Sequence, residues 1–228
     1  LPLPCFYREF VMKRFFCVFL LLALTLPAWA QEKKEPANNK AGVLFYTISG
    51  TGITLDNKTS GANPSGDGTM IGPSFFYEYL ILGHFGVGLS YASGLTRTIN
   101  TADGNADINI EETATLAALD FKAYFADHKR GGMKPYIGVT TGTVTPTSLV
   151  NITTSTNNST TTTTETTGIA VPVTLLNFGI DYTVGYAGVR VEAGMITGAK
   201  TDHVGSDTYQ AAYTYNGGNF AIGVFSHF

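Results

Sequence analysis

The stretch Asp-His-Val-Gly-Ser-Asp, residues 202–207, holds His203, Ser206 and Asp207, the residue types of a nucleophilic triad. In such a triad the imidazole takes the hydroxyl proton and the carboxylate orients the imidazole, so geometry defines it and composition does not. Three residues this close along one connection seldom converge, and the stretch reads as a polar surface loop. The remaining histidines, His84, His128 and His227, are scattered along the chain, and no pair has metal-ligand spacing. No metal and no cofactor is expected. Cys5 and Cys17 both precede residue 31, so the chain beyond it has neither a thiol nucleophile nor a disulfide.

A second set of chemistry-bearing residues is Glu78, Asp120, Lys122, Asp181, Arg190 and Glu192. What they can do depends on the elements that carry them. In "GPSFFYEYLILGHFGVGLSYASG", Phe75, Tyr77, Tyr79 and Ile81 share one parity, and Ser74, Glu78 and Leu82 take the other. After a tight turn near Gly83, Phe85, Val87, Leu89 and Tyr91 share a face opposed by Gly86, Gly88, Ser90 and Ala92. A period of two belongs to strands with two unlike faces.

The same rule predicts eight strands, at 41–55, 69–82, 85–100, 108–126, 134–151, 167–183, 186–201 and 208–228. Long polar connections ("DNKTSGANPSGDG", "NTADGNAD", "NITTSTNNSTTTTTETT", "TDHVGSD") alternate with short ones near Gly83, in "DHKRGGMK" and around Val184-Gly185-Tyr186. Such alternation is expected of a sheet closed around a membrane-spanning axis, with short turns on the periplasmic side and longer loops outside. The fold class is therefore all-β, an eight-stranded antiparallel up-and-down transmembrane β-barrel. A soluble barrel would alternate too, but its polar parity would meet water. Here that parity is mostly glycine, alanine, serine and isolated charges, which suits a cramped interior, while Phe and Tyr near the strand ends suit an aromatic girdle in lipid.

With the aromatic parity in lipid, the six charges point inward, a few residues from the short turns. Isolated charges there would be costly, so Lys122 and Arg190 are each expected to serve carboxylates. Such a network either plugs the lumen or forms a selectivity site in a narrow channel; an interior only wide enough for side chains favours the plug.

Residues 12–30 have the three parts of a secretory signal: Lys13 and Arg14, the apolar run Phe15 to Leu26, and Ala28-Trp29-Ala30 before Gln31. Residues 1–11 read as an upstream artefact, 31–40 as a short periplasmic segment and 41–228 as the barrel. Removing 1–30 takes away Arg8, Lys13, Arg14 and Glu9, leaving 11 basic and 16 acidic residues and a net charge of −5 against −3 for the whole chain. A mildly acidic protein without a basic patch is not a nucleic-acid binder. "TSTNNSTTTTTETTG", Thr154 to Gly168, reads as a mobile polar run that cannot bury a core.

The chain closes on "IGVFSHF", in which Phe220, Ile222, Val224 and Phe228 share a parity and Gly223 lies on the other. This resembles the terminal signal by which the outer-membrane assembly machinery recognises its substrates, with Ser226 standing where an apolar residue is preferred. Signal, strands, loops and Phe228 together resemble the small outer-membrane β-barrel proteins, the group of OmpA-type barrels and opacity-type surface proteins. The resemblance implies a monomer in the bacterial outer membrane with its loops outside. Its partners would be outer-membrane lipid, lipopolysaccharide, the assembly machinery and host or cell-surface ligands. It also implies a structural or adhesin-like role without enzymatic activity. The alternatives are a narrow porin-like channel for small or hydrophobic solutes and, behind it, an outer-leaflet lipid-modifying enzyme, because the architecture hosts all of these.

Overall fold

A computed structural model describes residues 38–57, 65–103, 106–128, 131–146, 150–156, 159–165, 169–205 and 209–228. The expected leader, with Ala28, Ala30 and Gln31, lies outside the described residues, as do Ser206 and Asp207. Among the described residues ten strands form: β1 Asn39–Asn57, β2 Ser65–Ile81, β3 Phe85–Asp103, β4 Ala106–Tyr124, β5 Gly132–Pro146, β6 Val150–Thr156, β7 Ser159–Glu165, β8 Val171–Val184, β9 Ala187–Gly205 and β10 Tyr209–His227. Eight of them pair antiparallel in the ring β1-β2-β3-β4-β5-β8-β9-β10 and back to β1. The all-β eight-stranded barrel expected from the period-two pattern is the fold observed. Closure pairs the backbone polar groups of the wall, as hydrocarbon requires.

The two parities separate as anticipated. Phe75, Tyr77, Tyr79 and Ile81 of β2 and Phe85, Val87, Leu89 and Tyr91 of β3 face outward, Phe75 and Leu89 with 53% and 57% of their surface exposed. The inward parity is not uniformly small and polar. In the half remote from the short turns it carries Ile48, Met70, Leu95, Ile99, Val173 and Ile196, all buried in one apolar cluster. An eight-stranded lumen must be filled by side chains, and glycines on one strand make room for large residues on the next. Gly179 lies under the Tyr136 ring, and Gly42 sits against Phe76 and Phe225.

The strands also run further outward than their apolar alternation. β3 and β4 stay paired up to Asp103 and Ala106, and β9 and β10 up to Gly205 and Gln210. Two connections expected as long loops are thus largely strand, and His203 is a strand residue of β9. Toward the rim the sequence of β3, β4 and β9 turns to threonine, asparagine and aspartate, and the alternation of lipid-facing residues no longer marks the strand ends.

The threonine-rich run is likewise not a plain loop. β6 and β7 pair from Val150↔Glu165 to Thr156↔Ser159, and β6 pairs with the upper part of β4, from Asp107↔Ser155 to Glu111↔Asn151. There it takes the place of β5, whose pairing with β4 ends at Ala114↔Pro146. Threonine is β-branched and favours extended backbone whether or not it buries anything.

Candidate functional site

The six inward charges come to lie on β2, β4, β8 and β9, and all are buried. Alternation places them: each sits at the pleat position opposite an outward apolar neighbour, such as Tyr77 and Tyr79 around Glu78 or Ile180 and Tyr182 around Asp181. Register then sets their heights, because Asp181 pairs directly with Arg190, and Gly88 with both Glu78 and Asp120.

Asp181 accepts from Arg190 Nε at 2.7 Å and Nη2 at 2.8 Å, and from Lys40 Nζ at 2.7 Å. Glu78 faces three cations: Lys40 at 3.1 Å, Arg190 at 3.0 Å and Lys122 at 3.5 Å. At the centre the Tyr124 hydroxyl donates to Glu78 at 2.5 Å and accepts from Lys40 at 3.0 Å and Arg190 at 2.8 Å. Glu192 accepts from Tyr46 at 2.9 Å and Tyr136 at 2.7 Å, with Lys122 at 3.9 Å. The Arg190 guanidinium also lies 4.3 Å from the Phe76 ring centroid and 5.2 Å from that of Tyr136, which keeps a fully buried cation against ring faces.

Asp120 stands apart from the ion pairs. Ser90 and Thr140 donate to it, Asn177 donates to Thr140 at 3.2 Å, and Asn219 donates to Asn177 at 3.0 Å. This hydrogen-bonded chain runs from β3 through β4, β5 and β8 to β10, on the extracellular side of Lys122 and Asp181. Higher still, within the apolar cluster, Arg97 binds Glu112 and donates to Thr51 O at 2.8 Å.

Four members of the network were not singled out from the sequence: Lys40, Tyr46, Tyr124 and Tyr136. Lys40 fell in the segment set before the first strand, yet β1 begins at Asn39 and pairs Lys40 with Glu78 and His227. Tyr124 was within reach, two residues beyond Lys122 and on its parity. The Arg97 and Glu112 pair was also missed, although they lie directly opposite each other on β3 and β4. Of the scattered histidines, the fold brings His128 and His227 together, with ring centroids 5.8 Å apart.

At the C-terminus, Phe220, Ile222 and Phe228 face outward, Gly223 and Phe225 face inward, and Phe228 N donates to Asn39 O at 3.1 Å across the closing seam. The Phe228 ring packs 6.4 Å from Tyr77.

A closed antiparallel barrel with an apolar exterior and a layer of paired charges in its lumen has the architecture of an outer-membrane β-barrel. No protein-family model and no curated sequence matches this chain. Among solved structures it is similar to the outer membrane protein OprG from Pseudomonas aeruginosa, with 14% identity and a TM-score of 0.59 over 85% of this chain and 97% of that one. The N-terminal β-barrel domain of Pseudomonas aeruginosa OprF matches with 13% identity and a TM-score of 0.39, over 85% and 99% of the two chains. The outer membrane protease OmpT from Escherichia coli matches with 10% identity and a TM-score of 0.41, over 87% and 100%. Likeness at such identities speaks to fold alone.

Proposed function

We propose that this barrel acts as a structural or surface-interaction protein through its extracellular end, as a monomer without enzymatic activity. The observation that carries this reading is the filled lumen. Arg190, Lys40 and Asp181 low in the barrel, and Ile48, Met70 and Leu95 above them, have no exposed surface. Protein atoms stand where a porin would hold water. Outer-membrane lipid and lipopolysaccharide would surround the wall, the assembly machinery would engage the last strand, and host or cell-surface ligands would meet the upper rim. Ser90 and Thr140 are bound to Asp120 inside the barrel, and His84, His128 and His227 lie at its periplasmic end, away from the outer rim.

The apolar interior of the extracellular half favours a second reading, a narrow passage for small or hydrophobic solutes that enter from outside and leave through the wall. The test is single-channel conductance of the refolded protein in a planar bilayer, with Lys122→Ala and Arg190→Ala beside the wild type, together with binding of an apolar fluorophore. Silence and no binding support the surface role. Steady openings whose ion selectivity changes in the variants would make the network a filter, and saturable dye uptake would favour the passage.

A further inference from the structure

Two turns and the end of β10 stand between periplasmic water and the charged network. The β4–β5 turn is tied to the β2–β3 turn: Tyr124 N donates to His84 O at 2.7 Å, and His128 N donates to Gly83 O at 3.0 Å. This tie folds His128 beneath the barrel. Its ring is 1% exposed and stands edge-on to Tyr124, the hub of the network, with centroids 3.9 Å apart. Neither ring nitrogen has a hydrogen-bond partner. An imidazole in that position is tolerated only while neutral, because a buried charge without a partner is far costlier than a buried neutral ring.

The groups around it cannot act as that partner. Lys40 from β1, Glu78 from β2, Asp181 from β8 and Arg190 from β9 already bind one another through the Tyr124 hydroxyl of β4. Tyr136 of β5 is committed to Glu192. Lys134, also of β5, is buried with its ammonium unbonded and adds a repelling charge. His227 of β10 faces it ring to ring, His84 of the neighbouring turn lies 3.3 Å from Tyr124 O, and the Asp127 carboxylate is turned against Gly83. Burial, followed by the nearby Lys40 charge, pushes His128 down to about 2.

We propose that His128 is a proton-operated latch: neutral, it plugs the periplasmic mouth, and once protonated it leaves the floor together with residues 125–127 and admits periplasmic water to the network. The inference depends on neither functional reading above. The released ring binds protons more readily than the seated one, so acid favours release. Taking the released ring as ordinary, near 6.5, and the seated one as about 2, a fall from pH 8 to 5 raises the released population roughly 30-fold.

The test is hydrogen exchange at the amide of position 128 in the refolded barrel, corrected for the intrinsic pH dependence of exchange. It compares the wild type with His128→Phe, which fills the floor without titrating, and His128→Gln, which is polar and does not titrate. If one variant does not fold, the other carries the comparison. Protection in the wild type is expected to fall roughly 30-fold between pH 8 and 5 and to hold in the variant. Unchanged wild-type protection over that range, or an equal acid loss in the variant, overturns the latch.

Discussion

Arg190 is the residue on which most of the interior converges. Replacing it with methionine keeps much of the side-chain volume but leaves Lys40 to bridge Asp181 and Glu78 without it, and removing one member of a buried ion network costs about 3–5 kcal/mol. The urea midpoint of Arg190→Met in micelles should fall accordingly; an unshifted midpoint would mean that the network does not hold the wall. Arg97 and Glu112 allow the complementary test, because two charges removed together leave neither one unpaired. The double variant Arg97→Met/Glu112→Met should be closer to wild type in stability than either single variant. At this scale the sequence was informative about charge and silent about hydroxyls. Glu78 and Arg190 declare themselves because ionised groups among alternating aromatics have only one tolerable side. Tyrosine suits lipid interface and dry interior equally, so Tyr46 and Tyr136 gave no sign of which they would choose, and only the parity of Lys122 pointed to Tyr124.

At the scale of elements, the outer rim is uneven. β5 and β8 stop at Pro146 and Val171, while β4 continues upward and is joined there by the β6–β7 hairpin. An epitope inserted between Thr156 and Ser159 should be labelled on intact cells; labelling only after the outer membrane is opened would invert the topology. At the other end, Phe228 ties β10 to β1 through its backbone and to Tyr77 through its ring. Phe228→Ala should lower the fraction of chains that reach the heat-modifiable folded form while leaving export intact, which gel mobility of membrane fractions would show. Strand existence was legible wherever one face meets lipid, as in β2 and β3. It was illegible in β6, β7 and upper β9, where the sequence is largely polar and only the β preference of threonine hinted at structure.

For the molecule as a whole, a buried network predicts an insensitivity. Mobile ions screen exposed charges and hardly reach buried ones, so raising sodium chloride from about 0.1 to 1 M should move the unfolding midpoint little. A large shift would place the charges in water. The membership of the network has a further consequence. Lys40 stands at the start of the first strand, Asp181 and Arg190 on the eighth and ninth, and the hydroxyl that joins them on the fourth. Lys40 meets Glu78 within the β1–β2 pair and Asp181 meets Arg190 within the β8–β9 pair, but the bonds from Lys40 to Asp181 and from Arg190 to Glu78 join the two pairs across the lumen and need the closed ring. The ring thus joins two ion pairs held by separate pairs of strands, and a slip of register in either would leave a buried charge without its partner.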